Sequence, residues 1–395
     1  MRMTRIGKAA LSGLILPLLA ISPQPAAAKR VAGADRPLVF DVHADLPKPD
    51  GSEDRIAIDL LRRGGVDAIA IAAFVPTGAH DAAGYAAAAK ALDERLRAIH
   101  AIAAAHSDKA AIARSATDIR RIVASGRTAI VVSFLNAYAL GEDDDGIARL
   151  YREGVRIAGL AHRGNNAFAD SSRLLPDDRP DENGGLSARG RRAVAEMNRL
   201  GILIDISQLT PAGVAQTLAL SRAPVIASHS DVRALVDNPR NLSDAQLRAI
   251  AAKGGVVAIN AFGAYLHKVT PAERARIDAA AAKVGGNPMD GIRMADAPTK
   301  AFLAEVGDIY HAGTSVADLV DHIDHAVRLI GIDHVAISSD FNHGGGVIGW
   351  HDAGETRNVT AELRRRHYSQ ADIAKLWSGN ALRVLAAAER AATAR

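Results

Sequence analysis

The sequence contains no cysteine. That excludes a disulfide framework and a lipid anchor carried on a cysteine, even though an exported chain could have used either. Stability must come from a packed core. Beyond the N-terminal segment no apolar run approaches the ~20 residues that a membrane-spanning helix needs. There is no linker that would divide the chain and no internal repeat beyond the alternation described below. Charge of one sign is scarce as well: the formal balance is +4, and three of those charges (Arg2, Arg5 and Lys8) sit at the extreme N-terminus, leaving +1 for the rest. A nearly neutral body gives no reason to expect a nucleic-acid partner.

What is present begins with residues 1–28. Arg2, Arg5 and Lys8 form a positive start, an apolar run from Ala9 to Ile21 follows, and Ala26-Ala27-Ala28 offers a small-residue cleavage site. This order of features reads as a secretory signal, so the mature chain is expected to be exported, periplasmic or secreted, with no stable membrane insertion after cleavage. The run is too short for a membrane anchor and is broken by Pro17. Residues 29–395 are then expected to form a single domain.

Within those residues, short apolar runs alternate with longer amphipathic stretches. Eight runs occur, at 38–42, 66–74, 128–135, 155–161, 202–206, 224–228, 255–260 and 334–339. Several, such as Ala129-Ile130-Val131-Val132, lack clean alternation, which suits strands of a parallel sheet covered on both faces. Helical patterns fill gaps at 187–200, 211–221 and 243–253, and Gly64-Gly65, Gly126, Gly201 and Gly254-Gly255 stand where helices should stop. The expected fold is α/β, a (β/α)8 TIM barrel with a metal site at the C-terminal ends of the strands. A doubly wound sheet shares the βα grammar, so the placement of polar residues has to decide. A strandless segment at about 264–314 reads as a helical insertion in a βα loop, as either part of a substrate wall or an outer spacer.

The strand exits are unusually polar. His43 and Asp45 follow the first run, and residues two apart in an extended chain share a face, so both reach one place. His162 ends the fourth run, Asp205 to Gln208 the fifth, Ser228-His229-Ser230 the sixth and Ser338 to His343 the eighth. A barrel gathers such exits over its mouth. Imidazoles and carboxylates there are what metal-assisted hydrolysis needs: ligands for a Zn2+-like ion and one carboxylate free to move a proton, for which Asp340 is the candidate. His100, His106 and His322 fall in helical stretches and read as structural or exposed.

The order of these segments resembles the membrane dipeptidase family within the amidohydrolase group. The stretches that carry the resemblance are DVHADLP at 41–47, YREGVRIAGLAHRGNN at 151–166, GLSARGRRAVAEMNRLGILIDIS at 185–207, APVIASHS at 223–230, NPRNLSDAQLRAIAAKGGVVAIN at 238–260, GIDHVAISSDF at 331–341 and SGNALRVL at 378–385. The resemblance implies a zinc-dependent dipeptidase, with a small dipeptide-like substrate and a homodimeric assembly. It implies His43, Asp45 and Asp340 around the first metal and its water, His229 at the second, His162 on the oxyanion and Arg240 on the substrate's free carboxylate. Two positions depart from the family's pattern. Leu135 stands where a bridging glutamate belongs, and Gln208 where a histidine ligand belongs; leucine cannot coordinate, and an amide oxygen is a poor zinc ligand. One ion, held by His43, Asp45 and Asp340 with or without His229, is therefore expected rather than two. The alternatives are a hydrolase of another small amide or ester, and a metal-free binding protein derived from the same fold.

Overall fold

The computed structural model describes residues 36–48, 53–285, 297–311 and 313–393. The segment read as an export signal, with its site at Ala26–Ala28, lies outside them. Among the described residues nine strands form, all in one parallel sheet: β1 (Phe40–Asp45), β2 (Ala68–Phe74), β3 (Ala110–Ala113), β4 (Thr128–Leu135), β5 (Val155–Gly159), β6 (Leu203–Asp205), β7 (Ile226–Ala227), β8 (Val256–Asn260) and β9 (Val335–Ser338).

Eight of the strands pair in the order β1-β2-β4-β5-β6-β7-β8-β9. The ring closes where Asp340 N donates to His43 O at 3.0 Å and Asp45 N to Phe341 O at 2.9 Å. Helices cover the outside, so the fold is the expected (β/α)8 barrel. The ninth strand is a correction to the expected count. β3, Ala-Ala-Ile-Ala, pairs only with the first half of β4, and β5 takes over from Val132 onward. It contains one β-branched residue and three alanines, so neither length nor propensity marks it as a strand.

Two apolar cores line the barrel, one on each face of the sheet. Phe40, Val42, Ala68, Ala70, Val131, Ile157, Leu203, Ile226, Val256 and Ala336 fill the barrel interior, joined by Leu382, Leu385 and Ala388 of the helix Asn380–Thr393. A larger core lies between strands and helices. Gly65 and Gly201 end their helices in the left-handed conformation, at φ 84° and 78°, where a side chain would be strained. After β8 come helices Gly263–Leu266, Pro271–Lys283 and Ala297–His311, the last two sharing a small core of Ile277, Ala280, Phe302, Val306 and Ile309.

Candidate metal centre

Side-chain direction along β1 is set by a bulge. Its register with β2 runs Phe40 to Ala68 and Asp41 to Ile69, then Ala44 to Ile71, so β1 carries one extra residue between Asp41 and Ala44. A bulge resets the alternation of faces. Phe40 and Val42 belong to the barrel interior while Ala44 joins the outer core, and His43 and Asp45 are left facing the mouth. Asp41 braces the bulge by accepting from Ser339 N at 3.0 Å and His43 N at 3.3 Å, and burial pushes its carboxyl up to about 6.

His43 Nε2 lies 3.6 Å from Asp45 Oδ2 and 3.6 Å from Asp340 Oδ1, and all three residues are buried. Each offers a ligand atom within 4.8 Å of the others. Asp45 Oδ2 is buried and accepts no hydrogen bond; it lies 3.4 Å from His343 Nδ1. Burial alone would lower the His43 pKa, but Asp45, Asp340 and Asp205 outweigh it and raise the imidazole to about 9. The cluster thus draws in a proton as its cation. A divalent ion would displace that proton and satisfy the orphaned carboxylate oxygen, so the residues present fit a metal. Asp340 is itself raised, by burial first, against the lowering influence of His43 and His343.

Across the mouth the chemistry differs. Leu135, at the end of β4, is 1% exposed. Gly159 on the neighbouring β5 leaves room for it: a Cβ there would meet Leu135 Cδ1 at 3.0 Å and Asp205 Oδ2 at 3.5 Å. Gln208 Nε2 is 3.2 Å from His229 Nε2, and its Oε1 receives Arg173 Nη2 at 3.4 Å. His229 stacks on His43 with ring centres 3.9 Å apart and planes 14° apart. Burial, then His43 and Arg240, lower its pKa well below the ordinary value, so it is neutral.

His43, Asp205 and His229 form a second group whose ligand atoms are close enough for an ion. The hydroxyl of Ser228 is at their centre: 2.5 Å from Asp205 Oδ2, 2.8 Å from His229 Nδ1 and 3.5 Å from His43 Nδ1. That hydroxyl hydrogen-bonds Asp205 and His229 in the space the three ligand atoms enclose.

The remaining candidates line the approach. The His162 ring lies 4.1 Å from Phe74 and 5.1 Å from His343, and burial, with His343, Arg173 and Arg240 nearby, keeps it neutral. Arg240 is buried; its Nη2 donates to His229 O at 2.7 Å, while its Nε has no partner. The Arg240 guanidinium lies 5.3 Å over the ring of Tyr265. His322 is buried and accepts from Val232 N at 3.1 Å, while His100 is held at Glu153 O.

Sequence reasoning singled out neither Arg173 nor the supporting role of Asp205. Backbone strain marks the same region in the structure: of the described non-glycine residues with positive φ, Asn136 (80°), Gln208 (73°), Asp340 (55°) and Asn342 (67°) lie at the strand exits. Such strain gathers where a site over-determines the backbone.

Known proteins share this fold. A crystal structure of the probable dipeptidase PvdM from Pseudomonas aeruginosa is 38% identical, covers 90% of this chain and 96% of that one, and superposes with a TM-score of 0.82. A metallopeptidase from Rhodobacter sphaeroides, solved with a phosphinate mimic of the dipeptide L-Ala-D-Ala, has a TM-score of 0.70 over 90% of this chain and 100% of its own; at 23% identity it speaks for the fold alone. The dipeptidase verJ of Clonostachys rogersoniana is 30% identical over 304 residues, 76% of this chain and 66% of that protein. The dipeptidase tcpJ of Claviceps purpurea is 30% identical over 284 residues, 71% and 56% respectively, so the matches span about two thirds or less of these curated relatives. The profile of the membrane dipeptidase family, peptidase family M19, matches residues 34–395, and the chain belongs to that family.

Proposed function

We propose that the protein is a metal-dependent hydrolase of dipeptides with one zinc ion per chain, held by His43, Asp45 and Asp340. The observation that carries this is the buried convergence of their three ligand atoms within 4.8 Å, with one carboxylate oxygen left without a hydrogen bond. A bound divalent ion would polarise the amide carbonyl and acidify the attacking water.

The protein's own groups do the rest. Asp340, its pKa raised by burial, takes a proton from the water and returns it to the leaving amine. His162 is neutral and so can donate one ring N–H to the oxygen on which negative charge develops. Arg240 has a buried Nε with no partner, ready for the substrate's free carboxylate. Removal of residues 1–28 on export would release residues 29–395 as the working domain, periplasmic or secreted.

The test is to express residues 29–395, measure metal per chain by elemental analysis, and assay dipeptide hydrolysis before and after chelation. One ion with chelator-sensitive hydrolysis supports the proposal. Hydrolysis of other small amides or esters but not dipeptides would move the substrate class. No ion after zinc is supplied, together with no hydrolysis, would leave a binding protein on a dipeptidase fold.

A further inference from the structure

The hydrogen bonds around His229 admit only one consistent assignment of protons. Ser228 Oγ lies 2.5 Å from Asp205 Oδ2 and 2.8 Å from His229 Nδ1. A hydroxyl has one hydrogen, and a carboxylate can only accept, so that hydrogen goes to Asp205. His229 Nδ1 must then be the protonated nitrogen, donating to Ser228 Oγ. Its Nε2 is left with a lone pair, and 3.2 Å away stands Gln208 Nε2, a donor. Arg173 Nη2, 3.4 Å from Gln208 Oε1, orients the amide independently.

Flipping the amide fails twice. It would set the Arg173 N–H against the Gln208 NH2, two donors face to face. In a neutral ring it would also require His229 Nε2–H, which turns Ser228 toward Nδ1 and leaves two bare oxygens 2.5 Å apart. The chain therefore runs in one direction, from Arg173 through Gln208, His229 and Ser228 to Asp205.

The lone pair that this chain consumes is the one with which His229 would bind an ion on the side of Gln208. We propose that Gln208 takes the place of a second ion: its N–H caps His229 Nε2 and makes His229 a neutral positioning residue, which fixes the plane of His43 beside a single-ion centre. Two contacts transmit that role: the 3.9 Å stacking on His43 and the 2.7 Å bond from Arg240 to His229 O. The number of ions rests on the metallohydrolase reading above; the proton assignment of His229 does not.

The experiment is 15N NMR of histidine-labelled protein, with the His229 signals identified by their loss in His229→Gln, recorded metal-free and with two equivalents of Zn2+, and zinc binding counted on the same samples. Expected are a protonated Nδ1, a hydrogen-bonded but unprotonated Nε2, no zinc-ligand shift at His229, and one ion bound. The Leu135→Glu/Gln208→His double variant should bind two ions and show ligation at His229 Nε2. A wild-type protein with His229 Nε2–H, or with a second ion on His229, overturns the proposal, and the wild-type spectra decide the matter even if the double variant does not fold. Protein that shows the expected tautomer and one ion yet cleaves no dipeptide would refute the proposed function and leave this assignment standing.

Discussion

On the β1–β9 side of the barrel mouth, two carboxylates and an imidazole converge with an oxygen to spare; on the β4–β6–β7 side, an amide and an imidazole hydrogen-bond each other and the end of β4 carries a buried leucine. Both sides are buried, and both sit at the ends of strands of the same barrel. The difference is electrostatic closure. The first side carries buried negative charge that needs a cation, and it raises His43 to about 9 to obtain one. On the second side the acceptors of Asp205, Gln208 and His229 already face donors, from Ser228 Oγ, Arg173 Nη2 and Gln208 Nε2. Burial of polar groups is thus a sign of a ligand site only where the hydrogen-bond inventory fails to close.

The comparison is broken most directly at Asp340. Asp340→Ala removes a ligand and the proton carrier together, and kcat/KM for a dipeptide is expected to fall by roughly a thousandfold or more, with loss of bound zinc by elemental analysis. Were activity and ion to survive, the charged side would not be the working one.

On the other side, Leu135→Ala should cost stability instead. Truncating a fully buried leucine lowers unfolding free energy by about 3 kcal/mol, read as a lower urea midpoint, while the ion count stays unchanged. A change in ion number would mean that Leu135 shapes the first site as well.

Arg240 joins the two sides through the substrate. Arg240→Ala is expected to lower kcat/KM about 30-fold on a dipeptide with a free carboxylate, the worth of roughly 2 kcal/mol for a charge-assisted hydrogen bond. On the corresponding dipeptide amide the wild type and variant should differ little. Equal losses on both substrates would assign Arg240 to holding His229 O rather than to the carboxylate.

The smallest effect concerns His322, whose ring receives Val232 N behind the β7 loop. Burial pushes it down to about 4 from an ordinary 6.5. Between those values the unfolded chain binds more protons than the folded one, so stability is full above pH 6.5 and declines as pH falls toward 4. Lowering pH from 7.5 to 5.5 should cost about 1 kcal/mol from this group. Urea titrations of His322→Gln should lose that share of the pH slope; an unchanged slope would put the dependence on other groups.

Much of this was legible in the residues. The eight barrel strands announce themselves as β-branched apolar runs because both faces of a parallel sheet are covered. Polar strand exits announce a site because the C-terminal ends of barrel strands meet. β3 was not legible, since three alanines carry no strand signal, and neither was the bulge in β1, which shows only as a shift of register.

By itself, then, the sequence determined the fold, the family and the set of chemical groups at the mouth, including the absence of a carboxylate at Leu135 and of an imidazole at Gln208. Only the tertiary structure decided which way those groups face and which of them are already satisfied. That Asp45 keeps an oxygen without a hydrogen bond while His229 has a partner on each nitrogen depends on distances between residues of β1, β6, β7, β9 and the loop carrying Arg173. Hydrogen bonding is directional and short-ranged, so residue types alone cannot say which lone pairs remain free.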